Sequence, residues 1–322
     1  MPRPEHRPAK LPHPVRSLTE EDVINTTAPI VVGGDGSASS DDAVRWAAVA
    51  AALRRASVVL VSTYPTPQDV AYATVPLGLF AEQEAEGNRL LVRAAEIAVD
   101  AARGHQKVHV RTELLTGPPI LMLLDQSHTA GMMVLGSRGL GEFTGGLLGS
   151  VSSALAAHAD CPVAVIRGLP GPGDAAFDGP VVVGVDGSRN SEPAIAAAFE
   201  EASLRGADLV AVHAWTDFNV STVFKVDSNE MVVAWPGIQT GEEAVLAESM
   251  AGWQNQYPDV LVRKVVVRDR PVRHLLAQAE LAQLVVVGSR GRGGFPSMLL
   301  GSTSQALLHT VGRPLLIVRA SA

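Results

Sequence analysis

One stretch of this chain is written twice. Pro29-Ile30-Val31-Val32-Gly33-Gly34-Asp35-Gly36-Ser37 returns as Pro180-Val181-Val182-Val183-Gly184-Val185-Asp186-Gly187-Ser188. A second block, Val134-Leu135-Gly136-Ser137-Arg138-Gly139, returns as Val286-Val287-Gly288-Ser289-Arg290-Gly291. The offset is 151 residues at Asp35/Asp186 and 152 at Gly136/Gly288. A nearly constant offset between blocks this far apart means that a whole domain is duplicated. A length of 322 residues accommodates two domains of ordinary size.

The joint is a Gly/Pro cluster without periodicity, Gly168-Leu169-Pro170-Gly171-Pro172-Gly173-Asp174. The expected layout is a flexible Pro-rich tail over residues 1–27, a first unit over 28–168, a linker over 169–178 and a second unit over 179–322. In each unit apolar β-branched runs alternate with helical patterns. In unit one strands are expected at 30–32, 58–63, 108–114, 132–135 and 163–167, and helices at 40–55, 80–103, 118–126 and 150–158. Ser39 or Ser40 is expected to cap the first helix. Unit two repeats the order, with a polar, irregular excursion over 216–239 before a helix at 241–256. Alternating strands and helices with near-continuous apolar strands imply an α/β fold, two tandem copies of a doubly wound, five-stranded parallel sheet flanked by helices.

Composition narrows the function. Hydrophobic residues make up 47% and aromatics 4%, so small aliphatic side chains must build the cores. A net charge of −7 argues against a generic nucleic-acid surface, although main-chain N–H groups hold phosphate without side-chain charge. No apolar run approaches the roughly 18 residues of a membrane span, and the N-terminus has no hydrophobic signal region, so a cytoplasmic location is expected. The single cysteine, Cys161, excludes an internal disulfide and reads as a buried, inert thiol.

The chemistry concentrates in one spacing: Gly136-x-x-Gly139, nine residues, Gly149-Ser150, and again Gly288-x-x-Gly291, nine residues, Gly301-Ser302. The loop leaves the carboxyl end of a buried strand, where open α/β sheets bind ligands, and ends at a helix whose free N–H groups favour anions. The hydroxyls of Ser150, Ser152, Ser302 and Ser304 are expected to add donors. No lysine accompanies either cluster, so this is not a P-loop, and no G-x-S-x-G elbow is present. Glycines after the fourth strand also exclude the dinucleotide fingerprint. Asp35 and Asp186 end the first strand of each unit, where a carboxylate would accept from a ribose hydroxyl or close an Asx turn. His158, His213, His274 and His309 share no ligand spacing and read as structural or surface residues.

These residues resemble the universal stress protein family in its tandem, ATP-binding form, over about residues 28–168 and 179–320. The resemblance implies ATP with Mg²⁺ as ligand and a regulatory role in stress or growth state. By the same resemblance, Asp35 and Asp186 would bind ribose beside Gly33 and Gly184. The main chain at Gly34 and Val185 would meet adenine, and Thr63 and Ala214 would line the base pocket. Gly136, Arg138, Gly139, Gly149, Ser150, Val151 and Ser152 would hold phosphates in unit one. Gly288, Arg290, Gly291, Gly301, Ser302, Thr303 and Ser304 would do so in unit two. Gly34 stands where the family carries a larger residue, and is expected to loosen the strand end and weaken unit one. The last strands, 163–167 and 315–319, are expected at sheet edges, where the units pair with each other and chains pair into a homo-oligomer. A slow ATPase or phosphotransferase, an adenylating enzyme of the ATP pyrophosphatase kind and a nucleotide-free scaffold remain alternatives.

Overall fold

The computed structural model describes residues 28–65, 77–139, 148–167, 169, 178–215, 235–292 and 299–319. The tail over 1–27 and nearly all of the linker lie outside the described residues, as do 216–234 of the excursion; residues 235–239 open a helix instead. Unit one runs β1 (Ile30–Gly33), α1 (Ala38–Arg54), β2 (Val58–Tyr64), α2 (Leu77–Ala101), β3 (Val110–Thr116), α3 (Pro119–Ser127), β4 (Met132–Gly136), α4 (Ser150–His158) and β5 (Val163–Ile166). Unit two runs β6 (Val181–Val185), α5 (Glu192–Arg205), β7 (Leu209–Trp215), α6 (Trp235–Gln256), β8 (Val262–Arg268), α7 (Pro271–Ala279), β9 (Leu284–Gly288), α8 (Ser302–Thr310) and β10 (Leu315–Val318).

Within each unit every strand pair is parallel. Side chains alternate across the sheet, so each strand feeds two cores. Ile30, Val32, Val58, Leu60, Met132 and Val134 pack in one buried layer with α1 residues such as Trp46. Val31, Val59, Val61, Met133 and Leu135 pack in the other with Leu123 of α3 and Leu155 of α4. This is the doubly wound arrangement implied by the apolar runs.

The two last strands do pair. Leu315, Leu316 and Ile317 lie antiparallel to Val165, Ala164 and Val163. One ten-stranded sheet results, in the order β3-β2-β1-β4-β5-β10-β9-β6-β7-β8. The units thus pair with each other through the strands expected to carry that contact, and β5 and β10 become interior strands of the sheet. The outer strands are β3 and β8, studded with Arg111, Glu113, Arg263, Lys264 and Arg268, charges that discourage edge-to-edge pairing.

Helices α1 and α5 close the junction on one face. Arg54 of α1 reaches across to the fully buried Glu201 of α5, which also accepts from Arg205 Nε at 2.9 Å. The Arg205 guanidinium lies 5.1 Å from the Trp46 ring centroid. Burial works to raise the Glu201 carboxyl, but the Arg54 and Arg205 charges outweigh it and hold it below the ordinary value. Among the described residues its neighbour Glu200 meets one cation, Arg54, at 4.0 Å. There burial dominates, partly opposed by Arg54 and reinforced by Glu201, and pushes the carboxyl up to about 7.

The cap of α1 is Ser37 rather than Ser39 or Ser40: its hydroxyl accepts from Ser40 N–H at 3.3 Å. Asp35 decides this, because its carboxylate draws in both the N–H and the hydroxyl of Ser37 and sets that residue at the helix entrance.

Candidate functional site

The carboxyl ends of β1 and β4 converge on Asp35. Its Oδ1 accepts from Ser37 N–H at 3.0 Å and from the Ser37 hydroxyl at 2.6 Å, a closed Asx turn. Its Oδ2 lies against the Cα of Gly139, so that any side chain at Gly139 would collide with it. Gly136 is equally confined: a Cβ there would sit 2.6 Å from Ser39 Oγ and 2.7 Å from its carbonyl oxygen. The glycines of the motif thus let the β4 loop lie directly on the β1–α1 turn. The Ser39 hydroxyl donates to the Arg138 carbonyl and ties the two together. Sequence reading missed this brace and assigned Ser39 to the cap.

The loop ends at α4, whose N-cap is Gly149, with no side chain capping the first turn. The Gly149 N–H is used, donating to the Ser137 carbonyl at 2.9 Å. The hydroxyls expected to donate to phosphate divide. Ser150 is exposed at the helix start, whereas the buried Ser152 donates to the Gly136 carbonyl at 2.6 Å. A hydroxyl has one proton, and that of Ser152 braces the loop. Ser304 does the same to Gly288 at 2.6 Å.

In unit one these pieces wall a cavity of about 800 Å³. Gly33, Gly34, Asp35, Thr63, Gly136, Arg138, Gly139, Gly149, Ser150, Val151 and Ser152 all line it, so every residue expected at this site is gathered there. The fourth wall is α2, through Gln83, Gly87 and Leu90, which the spacing of the motif gave no means of finding. The Gln83 Oε1 is buried without a hydrogen-bond partner among the described residues. Such an acceptor costs free energy unless a donor meets it, and its residue lines this cavity. Gly34 does not loosen the strand end, because its N–H still donates to the Val61 carbonyl at 2.8 Å. A Cβ there would be tolerated, with Ser40 Oγ at 3.5 Å, so its absence adds room to the cavity.

Arg138 brings positive charge to the cavity. Arg167, which follows β5, is not among the lining residues: its Nη1 donates to the His309 carbonyl at 2.7 Å, in the last turn of α8. Burial, and then the charge of Arg138, lower the Arg167 guanidinium from its ordinary value.

Unit two repeats the frame. Asp186 Oδ1 accepts from Ser188 N–H at 2.8 Å and its hydroxyl at 2.6 Å, while Oδ2 accepts from Arg292 N–H at 2.5 Å. Gly291 lies against Asp186 Oδ2, where a Cβ would come within 2.7 Å. Gly288 packs on Asn190, Gly301 caps α8, and Ser302 and Thr303 open that helix. Arg290 follows β9, and Gly184, Val185 and Ala214 stand at the ends of β6 and β7. The base end differs. The buried His213 donates from Nδ1 to the Val185 carbonyl at 2.8 Å, and its Nε2 meets Glu242 Oε2 of α6 at 2.6 Å. His213 is thus interior, while His158 and His309 are exposed. Among the described residues no group of three or more His, Cys, Asp or Glu side chains is placed to hold a metal. No described helix is long and apolar enough to cross a membrane.

Comparison with known proteins agrees with this architecture. The universal stress protein family model matches residues 27–167 and again 179–319. Two universal stress proteins of Mycobacterium tuberculosis are similar over almost their whole length. One is 44% identical over 301 residues, 91% of this chain and 97% of the relative. The other is 43% identical over 303 residues, 92% and 98% of the two chains. The crystal structure of a universal stress protein from Archaeoglobus fulgidus shares the fold at 18% identity, with a TM-score of 0.63, covering 91% of this chain and 98% of that one. With both halves matched and relatives above 40% identity end to end, the chain belongs to the universal stress protein family, as a tandem-domain stress-response protein.

Proposed function

We propose that this chain is an ATP-binding regulator of the stress response or growth state, with nucleotide occupancy as the signal its partners read. One observation carries the reading: the cavity of about 800 Å³ in unit one brings together Asp35, the Gly136–Gly139 loop and the α4 N-terminus. That volume lies within the range of small-molecule sites. The residues present fit an adenine nucleotide. The main chain at Gly34 and the side chains of Thr63 and Gln83 would meet the base. Asp35 would accept from the ribose. The N–H groups at Ser150 and Val151 and the guanidinium of Arg138 would face the phosphates. Mg²⁺ would ride on the phosphates. A cytoplasmic location and association of chains belong to the same proposal. Such association would use helical faces, since β5 and β10 already pair and charged side chains guard β3 and β8.

Isothermal titration of the full chain with ATP and Mg²⁺ tests the reading. Saturable binding in the micromolar range is expected. No heat with ATP, and no thermal stabilisation by any adenine nucleotide, would remove it.

A further inference from the structure

The two units differ at the base end in a way that extends the reading just given. Leu90 of α2 packs on Gly36, with a Cβ built there 2.5 Å from Leu90 Cδ2. Val245 of α6 packs on Gly187 in the same manner at 2.6 Å. Leu90 and Val245 are therefore counterparts. One helical turn earlier, Gly87 of unit one corresponds to Glu242 of unit two, and Gln83 corresponds to Ile238. Strand register supplies the other half. Gly33 lies opposite Val61 and Gly184 opposite Val212, so Ser62 corresponds to His213.

Ser62, Gln83 and Gly87 all line the cavity of unit one. In unit two the same three places hold an imidazole, an isoleucine and a carboxylate. A hydroxymethyl and a bare Cα have been exchanged for two large polar side chains, and these close on each other at 2.6 Å. The imidazole also takes the Val185 carbonyl, main chain that would otherwise meet a base. Both ring nitrogens are used, and the side chain is buried. The buried acceptor of unit one is replaced by an apolar side chain.

We infer that unit two fills its own base subsite with the His213–Glu242 pair, and that the chain takes up nucleotide in unit one alone. The inference rests on the ATP reading above. It also explains why the glycine loop of unit two persists without a nucleotide. Gly288 and Gly291 are needed by the close packing of the loop on Asn190 and Asp186, whatever the loop binds.

Titration of the full chain with ATP and Mg²⁺ is expected to give about one site per chain. Two equivalent sites overturn the inference but leave the ATP reading intact, whereas no binding removes the reading on which it rests. Photolabelling with 8-azido-ATP followed by peptide mapping places the site without any substitution. Label confined to unit one is expected, and label in unit two at comparable yield is the contrary result. Gly139→Val should abolish binding by driving a side chain into Asp35. The double variant His213→Ser with Glu242→Gly removes the pair, gives those two places the side chains of unit one and should raise the stoichiometry to about two. A folded double variant that stays at one shows that the pair is not what closes the site.

Discussion

Replacing Glu200 by Gln should stabilise the protein, and do so chiefly above mildly acidic pH. Glu200 sits at the junction of the two units with its carboxyl pushed up to about 7, from an ordinary value of 4.5. Because the folded-state value is raised, the folded protein keeps a proton that the unfolded chain releases between those two values. The contribution of Glu200 to stability therefore falls as pH rises through about 4.5 to 7, then levels off. At about 1.4 kcal/mol per unit, the ionised carboxyl costs the folded state roughly 3 kcal/mol above pH 7. Glutamine keeps the shape and cannot ionise. The variant should gain up to roughly 3 kcal/mol at pH 8, about 6 °C in melting temperature for a chain of this size, and only about 1 kcal/mol at pH 5. Urea unfolding of both proteins at half-unit steps from pH 5 to 8 measures this directly. Parallel pH profiles, or a variant less stable than the parent at pH 8, would refute the assignment of an uncompensated carboxyl at the junction.

The neighbouring residue should behave oppositely. Glu201→Ala strands the Arg54 and Arg205 guanidiniums in the interior and should cost about 3–5 kcal/mol at neutral pH, read in the same unfolding experiment. In the loops, Gly136→Ala meets Ser39 at 2.6 Å and should lose about 1–3 kcal/mol. Gly288→Ala meets Asn190 only at 3.1 Å and should lose less, so thermal melts that rank the two the other way would contradict the packing described. Cys161 is buried with its thiol pushed up to about 12, chiefly by desolvation, and should resist a thiol reagent at pH 8 until the protein is unfolded in guanidinium.

Much of the fold was legible before any coordinates. The repeated blocks set two units, and β-branched runs such as Val58–Val61 and Val181–Val183 set buried parallel strands, because only a strand covered on both faces can be apolar throughout. The glycine spacing located the loop at the end of β4, and the expected residues of unit one do meet around a single cavity. Boundaries were less secure. Helix α6 begins at Trp235 rather than near 241, with Pro236 in its first turn, where a missing N–H is tolerated. The role of Ser152 was also hidden, because a serine behind a helix start reads the same whether its proton reaches a ligand or a carbonyl.

What the sequence by itself determined is therefore local and periodic: the duplication, the alternation of strands and helices, and the loop chemistry that each short motif carries. The tertiary structure decided whatever depends on residues far apart in the chain. The antiparallel register of β5 on β10, which joins two five-stranded sheets into one, is one case. Gln83 and Gly87 came to a cavity otherwise built from strand ends and loops. His213 and Glu242, 29 residues apart on different elements, met in unit two at a hydrogen-bond distance that no spacing rule encodes. Periodicity specifies which face of an element is buried, but only packing specifies which side chains meet there, and on that the difference between the two units rests.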